Sequence, residues 1–174
     1  MRYEITGKQT GSRHCFVCGK DNEGGLFASF YETASGEVIS LITTSIGHQS
    51  YPEHTHGGVI CAILDETAGR AVWAVEPGSL AVTASIEVKY HRPVPLGEQF
   101  LAVGKVETNS TRWYKSIGKI YDKEGNLLAE STGVYIKQKQ KEISKSNDMD
   151  DVNIYIPDEN PITYVEWPIK NWLL

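Results

Sequence analysis

The chain has little cysteine: three residues in 174. That small, odd number does not make a disulfide framework, and it points to a reducing cytoplasm. Also lacking is any apolar run long enough to span a bilayer. The first residues, MRYEITGKQTGSRH, show no apolar stretch of the kind a signal peptide needs. Nor is there a basic excess, since 17 Lys and Arg face 22 Asp and Glu for a formal net charge of -5. The electrostatic footprint of a nucleic-acid binder is therefore missing, and a membrane-surface role is disfavoured for the same reason. The acidity is uneven. Glu142, Asp148, Asp150, Asp151, Asp158, Glu159 and Glu166 face only Lys141, Lys145 and Lys170 from residue 141 onward, leaving the first 140 residues near neutrality. No internal repeat, dinucleotide fingerprint or phosphate loop is present.

What is present is a globular composition, 40% hydrophobic and 22% charged, at a length that suits one domain with a sizeable core. Residues 26–31 and 38–45 are enriched in apolar and β-branched residues and are separated by turn chemistry, which predicts a hairpin. Residues 1–24 read as an irregular lead-in, and residues 46–55 as a loop. A helix is predicted from about residue 57 to about residue 75, stopped by Pro77 and Gly78. Four strand-like stretches follow, at 81–90, 99–107, 113–121 and 127–137. Short connections between them imply an antiparallel sheet, and an apolar helix must be wrapped by that sheet to hide its surface. The domain is expected over residues 1–138. A polar linker follows at 139–150. Residues 151–174 carry enough apolar side chains, among them Trp167 and Trp172, to pack back on the domain or on a neighbouring subunit.

The central segment is His56-Gly57-Gly58-Val59-Ile60-Cys61-Ala62-Ile63-Leu64-Asp65-Glu66-Thr67-Ala68-Gly69. A glycine pair opens an almost wholly apolar helix, and two carboxylates sit in its middle. Burying an unpartnered carboxylate costs roughly several kcal/mol, so at least one of them is expected to have a use. The helix start, with its free N–H groups and dipole, is a ready site for negative charge.

Residues 54–68, the stretch Tyr90-His91-Arg92-Pro93-Val94-Pro95-Leu96-Gly97-Glu98, and the lead-in Cys15-Phe16-Val17-Cys18-Gly19 with Asn22, Gly25 and Leu26 together resemble the hot-dog-fold acyl-CoA thioesterases, nearest the phenylacetate-pathway type. The resemblance covers roughly residues 13–138. It implies an α+β hot-dog fold, a long central helix inside a curled antiparallel sheet, and a homodimer or homotetramer built by joining sheets edge to edge. It further implies an acyl-CoA partner, with CoA as part of the substrate and no retained cofactor.

On that resemblance Asp65 matches the catalytic acid, acting as general base or as nucleophile, and the Gly57 amide is the main oxyanion donor. Eight residues separate them, about 12 Å along a helix axis. One thioester carbon cannot touch both on the same helix, so the site must be composite, with each group from a different subunit. Glu66 is the rival acid, about 100° further round the helix. His56 is a candidate for orienting substrate or binding the thioester oxygen, and Gly58 lies beside it. The family's carbonyl-polarising amide falls on Ser50 here, a departure, with Gln49 next to it. Thr83 matches a small hydroxyl that positions the base or water. Lys89, Arg92, Arg112, Lys115 and Lys119 are candidates for the CoA phosphates.

No metal site is expected. His54, His56 and Cys61 do not form a convincing set. Cys15 and Cys18 make a single C-x-x-C beside His14, short of the four ligands zinc takes as a rule. A redox role would need a helical context that is not apparent in the sequence, so this pair reads as structural. The function expected is acyl-CoA hydrolysis to free acid and CoA. A hot-dog enoyl-CoA hydratase or dehydratase and a catalytically silent acyl-CoA binder are the alternatives.

Overall fold

The computed structural model describes residues 1–143 and 154–169. Among these residues eight strands form a single antiparallel sheet around one long helix. In chain order they are β1 (Arg2–Lys8), β2 (Tyr31–Thr33), β3 (Val38–Thr43), the helix α1 (Gly57–Arg70), β4 (Leu80–Tyr90), β5 (Gln99–Asn109), β6 (Trp113–Tyr121), β7 (Leu127–Gln138), a short helix α2 (Gln140–Ile143) and β8 (Tyr164–Glu166). The spatial order is β4-β7-β6-β5-β3-β2-β1-β8. The sheet curls without closing, so β4 and β8 are its edges. This is the hot-dog arrangement.

The helix is seated by what β5 and β6 leave out. Gly104 pairs with Gly118 across these strands. A Cβ on Gly104 would stand 2.3 Å from the Thr67 carbonyl, and one on Gly118 would stand 3.1 Å from the Leu64 carbonyl. Side chains there would lift the helix off the sheet. With them absent, Ile60, Ile63, Leu64 and Ala68 of α1 are buried. Ile60, Ile63 and Leu64 share a core with Phe30, Val38, Phe100, Ala102, Ile120 and Ala129. Each large aliphatic buried this way contributes about 1.5–3 kcal/mol.

A second core of Tyr3, Ile39, Leu101, Val103, Tyr121 and Val165, joined by Ile162 and Trp167, involves the C-terminal extension. There β8 pairs with β1, Tyr3 lying opposite Val165. Trp167 Nε1 donates to the Asp122 carbonyl at 2.6 Å, and Asp158 pairs with Lys8 and accepts from the Tyr31 hydroxyl at 2.9 Å.

Several boundaries differ from the sequence reading. The lead-in contains a full strand, β1. Residues 26–30 form no strand, because Leu26 and Ala28 give their amides to Phe16 and Val17 in the lead-in. The helix stops at Arg70 and tightens into a 3₁₀ turn, Ala71–Ala74. The loop at 46–55 carries another, Ile46–His48. Within the expected linker, Gln140–Ile143 is helical. The rest of that linker from residue 144, and Trp172, lie outside the described residues.

Candidate active site

The start of α1 is built by His56. Its backbone is extended, and its ring Nδ1 caps the helix by accepting the Gly58 amide at 2.9 Å. That bond assigns Nδ1 as acceptor and leaves the proton on Nε2. It also occupies Gly58, so the Gly58 amide is not an oxyanion donor. Gly57 is different: among the described residues its N–H has no acceptor. Its carbonyl accepts the Tyr90 hydroxyl at 2.9 Å, which ties the end of β4 to the helix start.

Asp65 lies two turns further on and is half-buried. Thr83 Oγ1, on β4, stands 3.0 and 3.2 Å from its two carboxylate oxygens. The Tyr135 hydroxyl donates to the Asp65 carbonyl at 3.1 Å and the Tyr114 hydroxyl to the Gly69 carbonyl at 2.7 Å. The two rings stack with centroids 4.9 Å apart. Together with Trp73 they wall a cavity of about 190 Å³ that Asp65 and Thr83 line. Burial raises the Asp65 pKa above its ordinary value, while the Thr83 hydroxyl and, less, that of Tyr135 oppose the rise. Desolvation of this kind makes a carboxylate a stronger base.

Glu66 is engaged elsewhere. It accepts from Arg70 Nε at 2.7 Å, and that guanidinium stacks over Phe30 and donates to the Thr10 carbonyl at 2.9 Å. Glu66 and Arg70 line the Asp65 cavity too, but as an ion pair tied to the lead-in, so Asp65 is the cavity acid with no ion-pair partner among the described residues. A second cavity of about 170 Å³, with Lys8, Arg13, Lys20 and Cys18 in its wall, contains neither Asp65 nor Gly57.

The other candidates are placed as follows. Gln49 and Ser50 are both exposed; Gln49 bridges to Thr55, and Ser50 Oγ donates to the His54 carbonyl at 3.4 Å. Lys89 is exposed and 3.9 Å from Glu87. Arg92 is exposed two residues beyond Tyr90, Lys115 pairs with Glu107 at 2.8 Å, and Lys119 is buried. The structure thus brings Thr83 to Asp65 and leaves the candidate phosphate ligands dispersed. Sequence reasoning missed Tyr90, Tyr135, Tyr114, Trp73 and Arg70. Of these, only the Glu66–Arg70 spacing of four carried a local signal.

Residues 53–129 match the family model described as the Thioesterase superfamily. Over that stretch the chain is similar to the thioesterase superfamily. The acyl-coenzyme A thioesterase THEM4 of Xenopus laevis is 29% identical over 119 residues, 68% of this chain and 53% of that protein. The chain thus spans about half the length of the curated relatives it matches. Among solved structures, the thioesterase superfamily protein RHA08564 superposes with a TM-score of 0.63 at 30% identity, covering 71% of this chain and 60% of that one. The E. coli PaaI protein from the phenylacetic acid degradation operon superposes with a TM-score of 0.59 at 17% identity, over 66% of this chain and 81% of that one, a likeness of fold. The helix α1 and the strand β4, which position Gly57, Asp65 and Thr83, lie within the matched stretch. No helix among the described residues is long and apolar enough to cross a membrane.

Proposed function

We propose that this domain hydrolyses an acyl-CoA thioester to a free acid and CoA, at a site shared by two copies of the chain. The observation that carries the reading is the pairing of a desolvated Asp65 with Thr83 on an edge strand, on the same helix as an unsatisfied Gly57 amide. These groups stand about 12 Å apart along α1, too far for one carbonyl.

The edge strand supplies the remedy. Among the described residues β4 pairs only with β7, and Val82, Thr83, Ala84, Ser85 and Tyr90 are exposed. An exposed edge strand of 11 residues is a template for pairing with another chain. A two-fold axis near Ile86 and Glu87, with two copies of β4 antiparallel, sets Thr83 of one copy opposite Tyr90 of the other. Thr83 holds Asp65 and Tyr90 holds Gly57, so the same axis makes the two groups converge. The aryl walls of the Asp65 cavity, Trp73, Tyr114 and Tyr135, then border the acyl group.

In that assembly the Asp65 carboxylate takes a proton from an attacking water, or attacks the acyl carbon itself. Either route puts negative charge on the carbonyl oxygen, where the Gly57 N–H receives it. Collapse expels CoA as thiolate; on the second route water then cleaves the acyl–Asp65 anhydride, releasing the acid and restoring the carboxylate. His56 Nε2–H, at the helix mouth, is a further donor toward the same oxygen or the substrate. CoA arrives and leaves with each turnover.

The test is a panel of aryl, short-chain and medium-chain acyl-CoAs, with free CoA read by chromatography and thioester loss by absorbance. The expected result is CoA release that Asp65→Asn lowers about 10²–10⁴-fold. Tight binding without release, hydration of an enoyl-CoA without release, or an unaffected Asp65→Asn variant would each overturn the reading.

A further inference from the structure

The lead-in carries a group of side chains that hydrolysis does not use. Cys15 and Cys18 sit on one tight turn closed by the Gly19 amide on the Cys15 carbonyl at 2.9 Å. A Cβ on Gly19 would lie 2.3 Å from that carbonyl oxygen, so only glycine fits there. The Val17 and Cys18 amides both point at Cys15 Sγ, at 3.3 and 3.4 Å. Cys18 is buried, and Arg70 donates to its sulfur at 3.1 Å. The two sulfurs and a Glu66 carboxylate oxygen lie within 4.8 Å of one another.

We propose that Cys15 and Cys18 form a thiol–disulfide exchange site, with Cys15 attacking a low-molecular-weight disulfide and Cys18 resolving the mixed disulfide. The two sulfurs have unlike surroundings, as this division of labour requires. Cys15 is part-exposed and accepts N–H bonds, and the hydrogen bond from the Cys18 thiol lowers its pKa. The same bond and burial raise that of Cys18. A thiolate held this way is the nucleophile of exchange chemistry.

The step balances. The Cys15 thiolate bonds to one sulfur of R–S–S–R and expels RS⁻. Cys18 gives up its proton, bonds to Cys15 Sγ and expels the second RS⁻. Two electrons pass from the dithiol to the disulfide, and the two thiol protons end on two RSH molecules. Glu66 is the nearest carboxylate to receive the Cys18 proton in transit. The same three donors are one short of the four ligands of structural zinc, and no fourth joins them among the described residues. Arg70 already brings a positive charge to both Glu66 and Cys18, which favours exchange over metal binding.

This inference stands apart from the hydrolase reading, and its readout is mass. The full chain is incubated with glutathione disulfide at neutral pH, alkylated under denaturing conditions and digested with trypsin. Residues 14–20 then form a peptide holding both cysteines, separate from Cys61. The expected result is that peptide lighter by two hydrogens and unalkylated, restored by dithiothreitol, with Cys61 still alkylated. Cys18→Ser is expected to stop at one glutathione on Cys15, and Cys15→Ser to form no ring. Two outcomes overturn the proposal. One is residues 14–20 keeping both thiols, alkylated as fully as Cys61. The other is a stoichiometric metal in the purified chain whose removal is needed before either cysteine reacts.

Discussion

Thr83 Oγ1 lies 3.0 and 3.2 Å from the two carboxylate oxygens of Asp65. One hydroxyl on an edge strand thus holds the only acid of the aromatic-walled cavity that has no ion-pair partner among the described residues. Burial raises the pKa of that acid and the hydroxyl bond lowers it. A base must be ionised to act, so kcat/KM is expected to rise with pH through a limb displaced above the ordinary carboxylate range. Thr83→Ala removes the opposing bond and should move the limb to higher pH, while Thr83→Ser should restore it. A pH–rate profile checks this; an unmoved limb in Thr83→Ala counts against the contact.

The same shift has a consequence for stability. The folded pKa of Asp65 lies above its unfolded value, so the native state holds the proton more tightly. Stability from this group is present below the unfolded pKa and is lost as pH rises through the folded one. At neutral pH the ionised side chain is a liability that Asn does not share, and Asn Oδ1 still accepts from Thr83. Asp65→Asn should therefore melt no lower than the parent at pH 7 while losing activity. A clear drop in Tm would contradict this.

Gly57→Pro isolates the amide. Proline is favoured at the first helical position, and His56 already has φ -62 and ψ 136, a conformation proline accepts in the residue before it. The substitution deletes one N–H and leaves the cap intact. Stability should change by less than about 1 kcal/mol, and kcat should fall about 10²–10³-fold. Circular dichroism melts and steady-state rates read the two separately.

Glu66→Gln should do the reverse. Its carboxylate serves Arg70 at 2.7 Å, with side chains only 25% and 11% exposed. Loss of that charge leaves a buried guanidinium short of its partner, at a cost of about 1–3 kcal/mol. Activity per folded molecule should stay near wild type. Loss of kcat matching that of Asp65→Asn would make Glu66 the acid.

Local pattern made the helix start and the five strands β3 to β7 legible in the sequence, and the family resemblance singled out Asp65 as the candidate acid. The strand expected over 26–31 falls instead on a segment that is irregular up to residue 30. Long-range closure was not legible. β1 reads as polar because Arg2, Glu4 and Lys8 flank Tyr3 and Ile5, and its partner β8 lies some 160 residues away. The change from α-helix to 3₁₀ turn after Arg70 has no composition signal; the Tyr114 hydroxyl on the Gly69 carbonyl comes from a distant strand. Tyr135 reaches Asp65 from 70 residues away. Glu66 and Arg70 were within reach, being four apart on one helix, but the role of their ion pair depends on Cys18 and Thr10 beyond it.

The shared site is tested most directly by mixing two dead variants. Gly57→Pro and Asp65→Asn chains are unfolded together, refolded together and assayed. Half the dimers should be mixed, each with one intact site and one doubly damaged, so about one quarter of wild-type activity should return. A mixture as inactive as either variant alone, with mixed dimers demonstrated by mass, would show that Gly57 and Asp65 do not act across two copies.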